Sequence, residues 1–407
     1  MIASQFFTTI NFKTFLNTLF LLTFYLPHLR YWNDIENLEN ELKNYLNAEN
    51  SRIYSFYNGR SALFHALRQL NLDEKDEVLV SWYTCVSVVN AVLHAWWKTV
   101  YVDIDKDSLN MSIKDIEKKI TNNTKVLIIQ HTFWNPANIT EIMKIAKKNN
   151  LIVIEDCAHA IWASINNKKI WTFWDMSIFS TWRDKVISSV TWWFLLINNK
   201  NINFKKPKLI PVSRKLAISN LMYNIVAYIA WKTYDIKLWK VIMYISRKFD
   251  IIPPILTPSE KSCNFDNFYY QLPNSLTYLA RKKLKKIDII NQHRIKIANF
   301  YNKKLNFNKI ISINFAQNIY FNYPIFVDNI DKVLSKFRKH NIYLWNYWSW
   351  ENIVPYKTNL QNCMYKKWTC LVAEDIAKKI LTLPTHFQVS LKQTEKICQI
   401  FEKTIEK

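Results

Sequence analysis

The chain has 407 residues, of which 49% are hydrophobic and 21% charged, a balance that excludes an intrinsically disordered protein and allows two packed domains. Lys and Arg number 55 against 32 Asp and Glu, so the formal net charge is +23. The lysines are spread along the whole chain without a basic tail, and no nucleic-acid-binding motif accompanies them, so we expect no nucleic-acid partner.

The N-terminal segment is apolar and aromatic from Phe15 to Pro27. It is shorter than the roughly 20 residues that span a bilayer, and no small-residue cleavage site follows it. We therefore interpret residues 1–48 as an N-terminal arm, which could lie against a membrane surface without crossing it.

A helix followed by alternating strands and helices makes up the next part of the chain. Ala62, Leu63, Ala66, Leu67 and Leu70 recur at helical spacing, which predicts a helix over 61–70. Short runs that are apolar on both faces then alternate with polar helical stretches, which indicates a mainly parallel sheet covered by helices. The predicted strands are 78–80, 99–102, 125–129, 151–154 and 194–197. We assign residues 49–250 to this large α/β domain.

The segment 221–249 mixes aromatic, aliphatic and lysine residues and predicts an amphipathic helix pair. It could lie on a membrane surface or pack at a subunit interface, and the second reading is favoured. A proline-containing link follows, and then a long basic helix from Ser275 to Leu305 is predicted. Strands near 323–327 and 380–383 complete a smaller α+β domain, so residues 251–407 are assigned to the linking helix and this domain.

The six cysteines are Cys85, Cys157, Cys263, Cys363, Cys370 and Cys398. They are widely separated and none forms a CxxC pair, which is typical of reduced thiols in a cytoplasmic protein. We therefore expect a cytoplasmic location, with peripheral membrane contact left open.

Glycine is nearly missing, with one glycine beside 17 tryptophans, whereas an average chain has roughly 7% glycine. Many tryptophans stand at predicted turns, where an indole is a poor choice. We predict that these are native glycines, encoded by UGA codons that the source organism reads as glycine under an alternative genetic code; the other reading is a truly tryptophan-rich protein. Several positions should then have positive φ, or their indoles should crowd a ligand cavity. The best candidates are Trp96, Trp97, Trp134, Trp171, Trp174, Trp192 and Trp193, and Trp348 and Trp350 are weaker ones.

The strongest chemical signal is the run LIVIEDCAHA at 151–160. A buried strand ends there in Glu155 and Asp156, and ligands gather at the carboxyl ends of such strands. A carboxylate at this place can pair with a cationic ring nitrogen, and His159 can hydrogen-bond the same ligand. A metal-binding or merely capping carboxylate remains the alternative on this motif alone.

Two further signals are a lysine and a helix start. Lys185 follows the sheet by a short loop with neighbouring hydroxyls that include Ser180, and a desolvated lysine can act as a nucleophile towards a carbonyl. Gly59 opens a helix at Arg60 or Ser61, where free N–H groups can bind a phosphate. The alternative interpretations of these two motifs are a solvated surface lysine and an ordinary helix start without a ligand. In the order phosphate cradle, strand-end aspartate and lysine, the three signals are what pyridoxal phosphate requires.

With tryptophan read as glycine, the motifs become HTFGNPANI, IGTFGDMSIFSTGRDK and SSVTGGFLL, and the chain resembles the DegT/DnrJ sugar aminotransferases. The resemblance runs from about Arg30 to the C-terminus. It implies a fold-type-I pyridoxal phosphate enzyme, with a three-layer αβα large domain, a mainly parallel sheet and a smaller α+β C-terminal domain. The best glycine candidates each fall on a family glycine.

The resemblance also implies a role for each site residue. Lys185 aligns with the catalytic lysine that binds the cofactor covalently, and Asp156 with the carboxylate that pairs with the pyridine nitrogen. His159 falls where the family usually has Gln near the 3-hydroxyl. The remaining implied cofactor contacts are Ser180 to the phosphate, the backbone at Gly59, Arg60 and Ser61 around the phosphate, and Cys85 where an aromatic ring commonly stacks on the cofactor.

Two departures, Cys85 and the run YYQLPNS at 269–275 in place of Asn-Tyr-Arg, mark a divergent branch. The resemblance implies transfer of an amino group from an amino acid to a nucleotide-linked keto-sugar, for cell-surface polysaccharide or glycan biosynthesis, by a homodimer. A sugar dehydratase is the runner-up, disfavoured because that branch typically replaces the lysine with His. A non-catalytic, membrane-associated regulatory protein on the same fold is the alternative from another class.

Overall fold

The structure is a computed structural model that describes residues 2–3, 8–25, 34–95, 97–264, 267–305, 316–317 and 319–405. The helices of these residues are α1 (Phe12–Phe24), α2 (Asp34–Leu46), α3 (Gly59–Arg68), α4 (Val86–His94), α5 (Ile113–Lys119), α6 (Ile139–Lys148), α7 (Arg214–Lys232), α8 (Trp239–Lys248), α9 (Pro258–Lys261), α10 (Asn274–Leu284), α11 (Ile287–Lys304), α12 (Ile330–Lys339), α13 (Leu371–Ala377) and α14 (Leu391–Ile405). The strands are β1 (Ile2–Ala3), β2 (Arg52–Phe56), β3 (Glu77–Ser81), β4 (Thr84–Cys85), β5 (Lys98–Val102), β6 (Thr124–Gln130), β7 (Ile152–Asp156), β8 (Ser164–Ile165), β9 (Lys168–Lys169), β10 (Met176–Ser180), β11 (Trp193–Ile197), β12 (Ile210–Pro211), β13 (Tyr270–Gln271), β14 (Ala316–Gln317), β15 (Tyr323–Phe326), β16 (Ile342–Tyr343), β17 (Ile353–Val354) and β18 (Ile380–Leu383).

A seven-stranded sheet in the order β2-β11-β10-β7-β6-β3-β5 forms the centre of the large α/β part. Neighbours from β10 to β5 run parallel, and only β11 runs antiparallel to both of its neighbours. The predicted mainly parallel sheet and its five predicted strands are confirmed. The central strands β3, β6 and β10 are buried on both faces, since helices cover the sheet on either side, and β3 and β6 are rich in Val, Ile and Leu.

The register of the central strands brings polar residues together at one edge of the sheet. Asp156 ends β7 and pairs with Gln130, the last residue of β6, and with Ile178 of β10. Since parallel strands end at the same edge, their final side chains and the helix that follows β2 surround one space. The predicted helix at 61–70 is α3, which begins at Gly59.

The C-terminal part has its own core, in which α11, α12 and α14 pack on the antiparallel pair β15 and β18. Both strands predicted there are confirmed. The predicted long helix Ser275–Leu305 is wrong in one respect, because the chain breaks it at Lys285 and Lys286 into α10 and α11. The break follows a run of basic residues, 281–283, at the end of α10, where cations suit the C-terminus of a helix.

The predicted helix pair at 221–249 is confirmed as α7 and α8, with α1 packed against α7. This face leaves large apolar side chains in solvent: Phe12, Leu16, Phe20, Phe24, Ile229, Ile236, Val241, Tyr244, Ile245 and Phe249. Among the described residues, no helix combines the length and the apolar character that crossing a bilayer requires.

One cysteine pair departs from the prediction of reduced thiols. Cys263 and Cys363, which lie 100 residues apart in the sequence, form a disulfide, while the other four cysteines are free. No motif indicates this pair, because the two residues meet only when the segment after α9 packs against the loop before α13.

The backbone bears out part of the prediction about tryptophan. Trp134 has φ 94°, whereas Trp97, Trp171, Trp174, Trp192 and Trp193 do not have positive φ. The Trp193 indole instead crowds a cavity beside Gly59, which is the other predicted outcome, so the prediction is wrong for the remaining four. Trp96 lies outside the described residues. Positive φ occurs at the weaker candidate Trp350 and at two tryptophans not singled out, Trp162 and Trp368, while Trp348 lacks it.

Candidate active site

A cavity opens at the carboxyl edge of the sheet, beside the start of α3. Six of the eight predicted site residues line it: Gly59, Arg60, Cys85, Asp156, His159 and Lys185. Ser61 and Ser180 do not line it, and both are fully buried. The strand-end carboxylate, the imidazole, the lysine and the helix start therefore share one space, as the order of the motifs predicted.

Asp156 presents its carboxylate to this cavity from the end of β7. The Ala158 N–H donates a hydrogen bond of 2.9 Å to one carboxylate oxygen, which fixes the side chain. Burial raises the pKa of the Asp156 carboxyl, while the Ala158 N–H and the charge of Lys185 act in the opposite direction. A cation placed against this carboxylate would be strongly favoured, because the surroundings offer little solvent to stabilise its charge.

Glu155 points away from the cavity, since successive strand residues face opposite sides. Its carboxylate accepts hydrogen bonds from His131 Nε2 at 2.7 Å and from the Ser177 hydroxyl at 3.0 Å. The Ala137 N–H donates to His131 Nδ1 at 3.0 Å, so the ring proton lies on Nε2. The potential metal-ligand atoms of His131, Glu155 and Cys157 lie within 4.8 Å of one another. A direct hydrogen bond already joins the His131 and Glu155 side chains. This network fixes the strand ends behind Asp156.

Lys185 lies in the loop between β10 and β11, with its side chain 12% exposed. Its Nζ is 5.0 Å from the centre of the Phe321 ring and 4.0 Å from the Asp184 carboxylate. The amine is thus held over an apolar surface with one weak ionic partner, which leaves it available to a ligand in the cavity. Asp184, which also lines the cavity, carried no recognisable sequence signal.

His159 is buried between aromatic rings, with Phe321 stacked at 4.6 Å and Trp348 in an edge contact at 4.8 Å. Burial and then the charge of Lys185 lower the pKa of this imidazole well below its ordinary value, so the ring is neutral. Its Nδ1 is buried without a hydrogen-bond partner in the described part of the chain. An unsatisfied buried nitrogen that faces a ligand cavity is suited to a hydroxyl of that ligand.

The start of α3 is shaped by Asn58, whose side chain accepts hydrogen bonds from the Ser61 backbone N–H and hydroxyl, both at 2.8 Å. Ser61 is therefore engaged by the N-cap, while its contact with a phosphate stays a prediction. The N-cap rule applied to the residue before Gly59 would have found Asn58. The first N–H groups, at Gly59 and Arg60, lie beyond the reach of intrahelical acceptors.

Three side chains near the start of α3 affect how a ligand could bind there. A Cβ on Gly59 would overlap the Trp193 ring, so that indole covers the helix start directly. The Arg60 guanidinium forms a buried ion pair with Glu260 of α9 and is directed towards that helix. Ser180 accepts a hydrogen bond of 3.2 Å from the Trp182 N–H at the end of β10, which explains why its hydroxyl lies outside the cavity.

The aromatic wall comes from the C-terminal part of the chain. Tyr347 and Trp348 line the cavity, and the Tyr347 hydroxyl lies 3.8 Å from Cys85 Sγ. The strand pair β4 and β17 brings this loop to the site. Sequence reasoning missed Tyr347, because only the fold shows that the aromatic run 343–350 returns to the carboxyl edge of the sheet.

The polar groups of the cavity fit pyridoxal phosphate. The donor set supplies a carboxylate, an amine, an unsatisfied neutral imidazole and a helix N-terminus, which match a ring nitrogen, an aldehyde, a phenolic hydroxyl and a phosphate. The one misfit is the Trp193 ring over Gly59, at the end where the phosphate would lie.

Comparison with known proteins gives a family match. The model of the DegT/DnrJ/EryC1/StrS aminotransferase family matches residues 28–198 and 266–402. The chain is 35% identical over 170 residues to GDP-perosamine synthase of Escherichia coli O157:H7, which is 42% of this chain and 46% of that protein. It is 41% identical over 127 residues to the UDP-N-acetyl-3-dehydro-alpha-D-glucosamine 3-aminotransferase of Acidithiobacillus ferrooxidans, 31% of this chain and 34% of that protein. These alignments thus span less than half the length of both relatives.

Solved structures share the whole fold. The sugar aminotransferase CalS13 of Micromonospora echinospora superposes with a TM-score of 0.71 at 13% identity and covers 97% of this chain and 98% of its own. The S. venezuelae protein DesV, solved with a ketimine intermediate, gives a TM-score of 0.72 at 17% identity, with 97% of this chain and 95% of its own covered. The predicted αβα architecture with a smaller α+β domain is confirmed.

Proposed function

Because the chain belongs to the DegT/DnrJ/EryC1/StrS aminotransferase family, we propose that it transfers an amino group from an amino acid to a nucleotide-linked keto-sugar. The observation that carries the proposal is the single cavity lined by Asp156, His159 and Lys185 beside the start of α3. The product would be an amino sugar for cell-surface polysaccharide or glycan synthesis. A dehydratase would not need the amine of Lys185, and a non-catalytic scaffold would need none of these groups, so neither is favoured.

Pyridoxal phosphate would be held by the Lys185 amine, the Asp156 carboxylate, the His159 imidazole and the N–H groups at Gly59 and Arg60. When bound, the cofactor supplies an electron sink for the charge that develops on the donor's α-carbon. Asp156 keeps the ring-nitrogen proton in place, because its buried carboxylate has little other compensation for its charge. Lys185 Nζ would take the proton from the donor α-carbon in the first half of the transfer, and would deliver a proton to the sugar carbon that receives the amino group in the second half.

Product analysis tests this activity. The protein, loaded with pyridoxal phosphate, is given an amino acid and then nucleotide-linked keto-sugars, and the amino sugar is measured by mass. We expect an amino sugar from the wild type and from Lys200→Ala, an exposed lysine outside the cavity, but none from Lys185→Ala. Equal turnover by Lys185→Ala would remove the proposal.

We also propose that several tryptophans are glycine in the native protein. Positive φ at four of them supports this, as do buried indole N–H groups without a hydrogen-bond partner among the described residues. Buried indoles normally find such a partner. The unpartnered N–H groups that support the proposal belong to Trp97, Trp162, Trp171, Trp174 and Trp348. Trp231 and Trp239 share this feature but lie in helices α7 and α8, where glycine is unfavourable, so they are not candidates. The codons of the source gene decide the matter: UGG at these positions would exclude the proposal.

Trp193 links this recoding to the cofactor. Trp193→Gly removes the ring that lies over Gly59, and overpacking of this kind typically costs about 1–3 kcal/mol. We expect the variant to bind pyridoxal phosphate about tenfold or more tightly than the chain with tryptophan. Trp239→Gly, outside the cavity, serves as the control. Equal affinity of the Trp193→Gly and wild-type chains would show that this indole does not obstruct the site.

For the whole molecule, we propose a cytoplasmic homodimer with parts at 1–48, 49–250 and 251–407. The separate core around β15 and β18, which begins at Ile297, supports a distinct C-terminal part, and the exposed apolar face of α1, α7 and α8 supports self-association. Contact of this face with a membrane is the competing proposal.

The four free cysteines suit a reducing compartment, whereas the Cys263–Cys363 disulfide does not, so alkylation of these two thiols in intact cells tests the location.

A further inference from the structure

A second cavity adjoins the one already described and shares part of its wall. Trp182, Asp184, Ile255 and Tyr347 line both. The rest of the second cavity is lined by Arg183, Trp345 and residues from 199–265, the connecting segment that the family model leaves unmatched. The connecting segment contributes Tyr223, Met243, Arg247, Ile252, Pro253 and Ile255. The connecting segment therefore forms most of a cavity against the loop that carries Lys185.

Arg183 is the unusual residue of this cavity, because its guanidinium is buried and two of its three nitrogens have no hydrogen-bond partner among the described residues. The side chain is 5% exposed and lies two residues before Lys185. Its Nη1 donates to the Pro253 carbonyl at 2.7 Å, and its guanidinium carbon lies 4.4 Å from the centre of the Tyr223 ring. Its Nε and Nη2 are buried without a hydrogen-bond partner in the described part of the chain.

The two unpartnered nitrogens lie on the same edge of the guanidinium plane. That edge offers two parallel N–H donors, which match two oxygens of a phosphate or a carboxylate. Burial lowers the pKa of Arg183, yet an arginine remains charged in proteins. A buried charge with two unsatisfied donors is costly unless a ligand completes it.

The charges around the cavity favour a ligand with more than one negative charge. Arg247 of α8 lines the same cavity near its mouth, and Asp184 is the single acidic residue among the described lining residues. Two guanidinium groups against one carboxylate leave a net positive charge, which suits a diphosphate better than a single carboxylate. The aromatic wall of Tyr223 and Tyr347 adds an apolar surface for a sugar ring or a base.

We propose that Arg183 binds the diphosphate of the nucleotide-linked substrate in this second cavity, with Arg247 as its partner at the mouth. The proposal rests on the proposed function, which supplies a substrate with a diphosphate. The contacts that carry it, to Pro253 and Tyr223, involve no tryptophan. Glycine at 182 and 345 would therefore leave the Arg183 edge in place and only widen the cavity.

Binding of UDP and GDP by calorimetry tests the proposal. Arg183→Met should weaken binding of these nucleoside diphosphates about 10- to 100-fold, since hydrogen bonds to charged groups are lost. Arg214→Met, an exposed arginine at the start of α7, is the matched control and should bind as the wild type does. Uridine, which lacks the diphosphate, should bind weakly to all three proteins and show no dependence on Arg183.

Two further variants keep the test valid if Arg183→Met fails to fold. Arg183→Lys retains the positive charge but loses the two parallel N–H donors of the guanidinium. Arg247→Met removes the second arginine of the cavity. Both variants should weaken UDP binding. Wild-type affinity in both would overturn the proposal. Loss of glutamate binding with UDP binding unchanged would also overturn it, and would assign Arg183 to the donor carboxylate.

Failure of this proposal can be distinguished from failure of the proposed function, because cofactor loading is measured separately by the absorbance of the bound cofactor. A chain that binds UDP through Arg183 but never loads pyridoxal phosphate would contradict the aminotransferase and leave the diphosphate site standing.

Discussion

Four tryptophans of the described chain have φ between 69° and 94°: Trp134, Trp162, Trp350 and Trp368. The left-handed region costs an L-residue with a Cβ roughly 1–2 kcal/mol, whereas glycine enters it freely. Local strain and unpartnered indole N–H groups thus point to the same residue type. At this scale, the conflict between side chain and backbone is what the proposed native glycines would remove.

Trp368→Gly tests this strain most cleanly, because the side chain is 71% exposed and buries little. The backbone N–H of residue 368 keeps its 2.8 Å bond to Glu374 in the variant. We expect the free energy of unfolding to rise by about 1 kcal/mol, measured by urea denaturation.

Trp231→Gly is the matched control, since it lies within helix α7, where glycine costs about 1 kcal/mol. This variant should be less stable than the wild type. If Trp368→Gly lost as much stability as Trp231→Gly, the strain at residue 368 would be absent.

Residues of the candidate site could be predicted where they belong to a recognisable sequence motif. Asp156, His159 and Lys185 were found from strand ends and loops, because the carboxyl edge of a parallel sheet is where such side chains converge. Ser61 and Ser180 were predicted to contact the cofactor but do not line the cavity, since their hydroxyls bond to the Asn58 side chain and the Trp182 N–H. Arg183 gave no signal, because its burial depends on the connecting segment that covers it.

Helix α3 is the element that joins the site to the rest of the molecule. Its first turn faces the cavity, and His65 in its last turn donates from Nε2 to the Phe268 carbonyl at 3.1 Å. Burial lowers the pKa of His65 to about 4, and the hydrogen bond to Phe268 opposes this shift. The folded state therefore requires a neutral ring at this position.

The sign of the pH effect follows from that shift. The folded pKa of about 4 lies below the ordinary 6.5, so stability from neutral His65 is complete above pH 6.5 and is lost as the pH falls towards 4. We expect His65→Gln, which keeps a donor but does not titrate, to lose about 2 kcal/mol less between pH 7 and pH 5.

Urea denaturation of both proteins at the two pH values measures this difference. Burial also lowers the pKa of His159 and His293, but their contributions are common to both proteins and cancel. Parallel losses in wild type and variant would mean that His65 is not the titrating group.

Helices and strands could be predicted where the periodicity of the apolar residues matched the faces that the element buries. The two-sided apolar runs gave β3, β5, β6, β7 and β11 because only a covered sheet buries both faces. The break between α10 and α11 was missed, since lysines at 285 and 286 are good helix formers and their sequence carries no stop signal.

At the scale of the whole molecule, the exposed apolar face of α1, α7 and α8 is the feature that most needs a partner. Tyr244 is 64% exposed and Phe249 67% exposed on this face. Faces of this kind usually mark an interface. The fold class followed from the sequence, but the partner of this face did not, because an amphipathic helix pair suits a protein surface and a lipid surface equally.

The double variant Tyr244→Glu/Phe249→Glu tests the proposed dimer. Charge on an apolar interface should turn a dimer into a monomer in equilibrium sedimentation. Met364→Glu, a charge placed on an equally exposed residue of the C-terminal part, should leave the dimer intact. A dimer that survives the double variant, together with binding of the wild type to anionic vesicles, would assign the face to a membrane.

Attachment of pyridoxal phosphate to Lys185 is the claim on which the site, the fold match and the proposed activity all converge. The measurement is peptide mass mapping after the protein has been incubated with the cofactor and reduced with borohydride. It is carried out on the chain as printed and on Trp193→Gly, so that obstruction by the indole is distinguished from a wrong site. We predict the reduced cofactor on the peptide that contains Lys185, and its loss in Lys185→Ala. Attachment to another lysine, or none in Trp193→Gly, would contradict the account.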